Sequence, residues 1–172
     1  MNYSGLIKND FAAAPGTSVT LFVSGCDLHC PGCHNPEAQN YDYGTHYTLN
    51  TTFEIIEALK ANNIQRNLCI MGGEPLAPRN REMVANIIRD IHNALPNTPI
   101  YLWTGYTIEY LKNEITQGIW PEPDLKYILS NIDFLIDGPF LQEQRDITLP
   151  MRGSRNQRII KLDKGEIINV IQ

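Results

Sequence analysis

No stretch of this 172-residue chain approaches the roughly 18 consecutive apolar residues of a membrane-spanning helix. The N-terminus also lacks a basic region followed by an apolar run, the mark of a secretory leader. Both absences lead us to expect a cytoplasmic protein without a membrane partner. Positive charge is in short supply: 14 Lys and Arg against 19 Asp and Glu leave a net charge of -5. Bulk attraction to nucleic acid is therefore not expected, and a protein or small-molecule substrate suits the balance better. Internal repeats and low-complexity stretches are missing, and the length fits one domain, 1–172, able to bury a substantial core. Cysteine is scarce, with four in all. A reducing compartment keeps such thiols free for ligation and argues against disulfides.

Three of the four cysteines are crowded into Gly25-Cys26-Asp27-Leu28-His29-Cys30-Pro31-Gly32-Cys33-His34-Asn35. The spacing is C-x3-C-x2-C, and three is the wrong number for a closed site. A structural zinc or an ordinary 4Fe–4S cluster takes four protein ligands. A cubane held by Cys26, Cys30 and Cys33 leaves one iron free for a ligand that is not protein. Two other readings stay open on these residues alone. One is a zinc knuckle completed by His29 or His34, although no second CxxC or HxxxH is present to make the usual pair. The other is a structural cluster completed by Cys69, which would make a simple electron-transfer protein. Cys69 sits between Leu68 and Ile70 in an apolar run, so it reads as a small buried hydrophobe.

Strands alternate with helices along the chain. Ser18 to Ser24 is a β-branched, aromatic-rich strand ending at Gly25. A helix capped by Thr51 or Thr52 runs to about Asn63, with Phe53, Ile55, Ile56 and Leu59 on one face. Asn67 to Met71 is a strand stopped by Gly72-Gly73. An amphipathic helix follows Pro78 and is ended by Pro96. Ile100 to Trp103 is a third strand, stopped by Thr104-Gly105. About ten helical residues follow Thr107, and a shorter helix covers Asp124 to Ser130. Ile132 to Ile136 is a fourth strand, stopped by Asp137-Gly138-Pro139. Arg158 to Leu162 and Glu166 to Ile171 flank Asp163-Lys164-Gly165 as a hairpin. The rhythm predicts an α/β fold with a parallel sheet: four to five βα units, about half of a full (β/α)8 barrel. Residues 1–25 would be N-terminal strands, 26–35 the cysteine loop and 152–172 a C-terminal strand segment. Four polar or glycine-rich loops would then meet at the C-terminal edge of the sheet, where such folds bind ligands.

Gly72-Gly73-Glu74-Pro75 is the second signal. Residues without Cβ let backbone approach a ligand closely, and a carboxylate accepts a charge-assisted hydrogen bond from an amino group. With C-x3-C-x2-C one βα unit earlier, the chain resembles the radical S-adenosylmethionine (SAM) enzymes. Further along come Trp103-Thr104-Gly105-Tyr106, Asp137-Gly138-Pro139-Phe140 and Arg152-Gly153-Ser154-Arg155-Asn156-Gln157-Arg158. With Pro15-Gly16 and LFVSGC, they make the chain similar, from Asn2 to about Arg158, to the activating enzymes of anaerobic ribonucleotide reductase.

The resemblance implies a compact partial barrel of the radical SAM type. It also implies a 4Fe–4S cluster on Cys26, Cys30 and Cys33, with SAM chelating the fourth iron. Reduction by a flavodoxin-type donor would cleave SAM to methionine and a 5′-deoxyadenosyl radical. That radical would take hydrogen from a glycine α-carbon of the large subunit of the reductase, leaving a stored glycyl radical. Glu74, beside Gly72 and Gly73, would receive the SAM amino group. Gly32, Cys33 and His34 would border the adenine, Thr104 and Gly105 the ribose region, and Asp137 either SAM or the incoming glycine loop. The activase of pyruvate formate-lyase or a related glycyl-radical enzyme would share the cluster and GGE loops. Arg152, Arg155 and Arg158 follow the last βα unit, so we expect them away from the cluster pocket. There they would dock the partner or tie the last strand to the sheet.

Overall fold

The computed structural model describes residues 1–118 and 123–171. It is a mixed α/β domain with one eight-stranded sheet and four α-helices among the described residues. The strands are β1 (Asn2–Asp10), β2 (Thr17–Val23), β3 (Thr45–His46), β4 (Arg66–Gly72), β5 (Ile100–Trp103), β6 (Phe134–Asp137), β7 (Arg158–Asp163) and β8 (Glu166–Ile171). The helices are α1 (Leu49–Lys60), α2 (Pro78–Ala94), α3 (Ile108–Gln117) and α4 (Pro123–Ser130). The sheet order is β3-β1-β2-β4-β5-β6-β7-β8. Its centre, β2-β4-β5-β6, is parallel, as the βα rhythm predicts, and the strands on either side of it are antiparallel.

The sheet is therefore larger than the expected four to five βα units. Three helical crossovers link the four parallel strands, and the other four strands add to the edges in antiparallel pairing. β3 went unforeseen because two residues give no readable alternation. Gln172, the last residue of the expected C-terminal segment, lies outside the described residues. The 163–165 hairpin is present, with Asp163 opposite Glu166. The first helix begins earlier than expected. Thr48, not Thr51 or Thr52, is its cap, and the Thr48 N–H donates to the Thr51 hydroxyl oxygen at 3.3 Å.

Side chains alternate across each strand. Leu68 and Ile70, Ile100 and Leu102, Leu135, and Ile160 face the helices and join Ile55, Leu59, Val84, Ile88, Leu111 and Ile128 in the main core. Cys69, Tyr101, Ile136 and Ile159 point the other way and form a second, smaller cluster with Ala14. With the helices on one face only, the opposite face is covered by loops, and the C-terminal ends of the parallel strands are left to build a site. No helix among the described residues is long and apolar enough to cross a membrane.

Candidate functional site

The loops after β2, β4, β5 and β6 border a cleft of about 470 Å³, within the range of small-molecule sites. Cys26, Cys30 and Cys33 line it, with His34, Gly72, Gly73, Glu74, Thr104, Gly105 and Gly138. Phe22, Leu28, Met71, Trp103, Phe140 and Met151 supply its apolar wall.

The cysteine loop is pinned where it leaves β2. Gly25 N–H donates to Ala38 O at 2.7 Å and Cys26 N–H to Gln39 O at 3.0 Å. Gly25 has φ +97, and a Cβ there would lie 2.0 Å from the Tyr41 ring, so only glycine fits. Cys33 N–H donates to Cys30 O at 3.1 Å, and Leu28 N–H to Cys26 Sγ at 3.5 Å. All three thiols are half-buried. Burial pushes the Cys26 thiol up to about 11, against the Leu28 N–H, and the Glu74 carboxylate and other two thiols add to the rise. Such a group becomes a thiolate only beside positive charge, which iron supplies. Three thiols lining one cleft are a donor set that fits three irons of a 4Fe–4S cluster and would leave the fourth to a ligand that is not protein. Among the described residues, no three His, Cys, Asp or Glu side chains converge as ligands of a single ion. Cys69 is fully buried in the second cluster and does not line the cleft. His29 turns to Gln39, with Nδ1 3.0 Å from Oε1.

Gly72 and Gly73 approach closely, but what they approach is backbone. A Cβ on Gly72 would lie 2.5 Å from Val23 O, and one on Gly73 2.6 Å from Gly25 O and 2.8 Å from Ala38 O. Gly73 N–H donates to Val23 O at 2.7 Å and Glu74 N–H to Gly25 O at 2.8 Å, so the two glycines lock this loop onto the end of β2.

Glu74 is 1% exposed. Its Oε1 accepts Leu76 N–H and the Thr104 hydroxyl, each at 2.8 Å, and its Oε2 accepts Gly105 N–H at 2.7 Å. Burial raises its pKa to about 7, opposed by those three donors and by the Arg81 charge. One carboxylate thus binds the β4 loop to the β5 loop. Thr104 N–H continues the chain to Ile136 O at 2.9 Å, and Gly138 N–H reaches Tyr106 O at 3.0 Å.

Other expected positions fall differently. Cys33 and His34 line the cleft, and a Cβ on the exposed Gly32 beside them would meet Gln142 Oε1. The Asp137 side chain is fully buried and committed: Oδ2 accepts the Ile108 N–H at 2.8 Å and Oδ1 the Arg158 Nε–H at 2.9 Å. Arg158 also grips Glu109, so it ties β7 to β6 and α3. Arg155 is exposed and bonds Asp146 at 3.1 Å. Arg152 reaches Gln157 O at 3.4 Å. The segment carrying these arginines is nearer the cleft than expected, since Met151, Gly153 and Gln157 line it. The Trp103 indole N–H holds Met151 O at 2.8 Å.

Sequence reasoning missed Asn80 and Arg81, which are 1% and 3% exposed at the start of α2. The signal was available: both fall on the buried stripe that Val84, Ala85, Ile87, Ile88 and Ile91 continue. A polar pair on an apolar stripe needs partners. Arg81 bonds Leu76 O at 2.7 Å and Glu114 at 2.8 Å.

A three-thiol cleft at the carboxyl edge of a parallel sheet defines an iron–sulfur domain, and residues 12–160 match the family model described as a 4Fe-4S single cluster domain. Relatives extend over nearly the whole chain. An anaerobic ribonucleoside-triphosphate reductase-activating protein of Vibrio cholerae is 38% identical over 160 residues, 92% of this chain and 97% of the relative. Those of phage T4 (36%, over 92% of this chain and 93% of the relative) and Escherichia coli K12 (34%, 91% and 96%) bear the same name. The chain belongs to this family of activating proteins. No solved structure matches it.

Proposed function

We propose that this chain activates an anaerobic ribonucleotide reductase as a radical SAM enzyme. The observation that carries the reading is the convergence of three half-buried thiols and the Glu74 carboxylate on one cleft. A 4Fe–4S cluster held there would supply the electron for reductive cleavage of SAM, and a glycyl radical on the large subunit of the reductase would be the outcome.

In this reading Cys26, Cys30 and Cys33 hold three irons. Glu74 accepts the SAM amino group on the lone pairs left free by Gly105, while Thr104 and Gly105 face the ribose. The backbone of Gly32, Cys33 and His34 borders the adenine. Asp137 serves the SAM site from behind, by holding the start of α3. The apolar wall excludes water from the reacting atoms. The sheet would curve into a partial barrel of the radical SAM type, with 1–172 as one activase domain, its open side admitting the partner's glycine loop. A cytoplasmic setting and a flavodoxin-type donor suit a cluster at the low end of its potential range. Arg152 and Arg155 would meet the partner.

Anaerobic incubation of the iron-loaded protein with SAM and dithionite tests the chemistry. Deoxyadenosine should form, and adding the reductase should produce a glycyl-radical resonance. Full iron content with no deoxyadenosine would overturn the proposal.

A further inference from the structure

The end of β2 and the GGE loop carry the two halves of the site, iron ligands on one and the amino-group acceptor on the other. One side chain spans them. Asn80 Nδ2 lies 3.1 Å from Ser24 O, 3.4 Å from Gly25 O and 3.0 Å from Glu74 O. Ser24 and Gly25 immediately precede the ligand Cys26, and Glu74 closes the GGE motif. Three carbonyl oxygens with like partial charges therefore converge on a single amide, whose two hydrogens hold them together.

The amide itself is poorly served. Asn80 Oδ1 is buried and meets no donor among the described residues, a condition that ordinarily costs stability. An apolar side chain on this stripe of α2 would pack without that penalty. What the amide adds is a side-chain link between the two loops, beside the backbone bonds from Gly73 N–H to Val23 O and from Glu74 N–H to Gly25 O. The helix fixes it firmly: Pro78 opens α2, Asn80 N–H donates to Ala77 O at 2.8 Å, and Val84 and Ile87 below it are wholly buried.

We propose that Asn80 is a positioning residue that sets the separation of the iron-binding loop from the SAM amino-group acceptor. The inference rests on the SAM site proposed above. Groups that act together on one ligand lose effectiveness steeply when displaced by an ångström, even where each is still present. Removing the Asn80 amide should leave the three thiols able to take iron but misalign them with Glu74.

The experiment compares Asn80→Ala with Val84→Ala, which opens a cavity one turn further along the same helix. Iron content, the SAM dissociation constant and the change SAM causes in the electron paramagnetic resonance spectrum of the reduced cluster are measured for each. Asn80→Ala should retain iron, bind SAM at least tenfold more weakly and show a diminished spectral response. Val84→Ala should lower the melting temperature at least as much, yet keep SAM affinity within twofold. Asn80→Ser, whose hydroxyl donates one hydrogen bond, should lie between wild type and Asn80→Ala. Wild-type affinity and spectral response in Asn80→Ala would overturn the inference, as would equal losses in Val84→Ala. Iron loss in both Asn80 variants would make the residue structural and overturn it too. If the unsubstituted protein failed to bind SAM, the site reading itself would fall, and this inference with it.

Discussion

Asp137 and Arg158 stand opposite one another in the antiparallel β6–β7 register, and the guanidinium Nε donates to Asp137 Oδ1 at 2.9 Å. The same arginine reaches both Glu109 oxygens at 2.9 and 2.8 Å, and Asp137 caps Ile108 N–H. Two residues thus join two strands to the start of a helix. Breaking a buried pair from one side strands the other charge, at a cost of about 3–5 kcal/mol. Arg158→Met should therefore destabilise the protein by roughly 3 kcal/mol in denaturant unfolding, because Asp137 is fully buried. Glu109 is 63% exposed, and Glu109→Gln should cost under about 1 kcal/mol. Equal effects would show that Asp137 is not the partner that matters.

Cluster assembly separates the four cysteines. Cys26→Ala, Cys30→Ala and Cys33→Ala should each abolish stable iron incorporation, since a three-thiol site has no spare ligand. Cys69→Ala should keep full iron content, because its sulfur is packed among Tyr101, Ile136 and Ile159 on the far side of the strand. Iron and sulfide analysis after anaerobic reconstitution gives the answer, and normal iron in a Cys33→Ala protein would contradict the assignment.

Two glycines of the site should differ in how they fail. A Cβ on Gly73 meets only backbone, Gly25 O at 2.6 Å and Ala38 O at 2.8 Å, so nothing can rotate away. Gly73→Ala should push the iron-binding loop off β4 and reduce iron content severely. On Gly105 the obstruction is Leu28 Cδ1 at 2.3 Å, the end of a flexible side chain. Gly105→Ala should keep most of its iron and lose SAM affinity, as Leu28 swings within the cleft. Iron content and equilibrium SAM binding, measured on both variants, distinguish these outcomes.

The sequence was most legible where chemistry leaves short, ordered signals. The cysteine spacing, the GGE tripeptide and the strand–loop rhythm pointed to one edge of a parallel sheet, and the cleft is there. The antiparallel flanks were harder to read, because β3 has two residues and β1, with Gly5 and three polar residues at its end, alternates weakly. Side-chain allegiance was harder still. Arg158 lies in an exposed-looking basic run, and only the β6–β7 register shows that it faces a buried aspartate. Likewise the close packing of the GGE glycines on the backbone of Val23 and Gly25 could not be read from the tripeptide, which suggests only a close approach. Asn80 carries no motif, and its role depends on carbonyls from residues more than fifty positions away.

Docking can be examined apart from the cleft. The Arg155 side chain bonds Asp146 at the surface, away from the cleft lining, so changing Arg152 and Arg155 together to alanine should leave iron content and SAM binding intact. Glycyl-radical formation on the reductase should slow, while partner-independent deoxyadenosine production is unchanged. No change in either rate would remove this segment from the partner interface.

Glu74 has two consequences that one variant, Glu74→Gln, exposes together. Its carboxylate is the acceptor for the SAM amino group in the proposed site, and a hydrogen bond to a charged group is worth about 1.5–3 kcal/mol. At 1.4 kcal/mol per decade, SAM affinity should fall by roughly one to two orders of magnitude with the cluster retained. The second consequence is pH dependence. Burial raises the carboxyl from an ordinary 4.5 to about 7, so between those values the folded chain binds more protons than the unfolded one. Stability from this group is then fully present below about pH 4.5 and is lost as pH rises through about 7. Glutamine does not titrate, so the unfolding free energy of the wild type relative to Glu74→Gln should drop across that window by an amount on the order of 3 kcal/mol and level off above it. SAM binding runs the opposite way, since the acceptor must be ionised: wild-type affinity should weaken as pH falls below 7, while the Glu74→Gln affinity stays flat. Denaturant unfolding of the cluster-free proteins and SAM titrations of the loaded ones, each from pH 5 to 8, measure the two slopes. A wild-type SAM affinity that ignores pH over this range would show that Glu74 serves the loops alone and leaves the amino group to another acceptor.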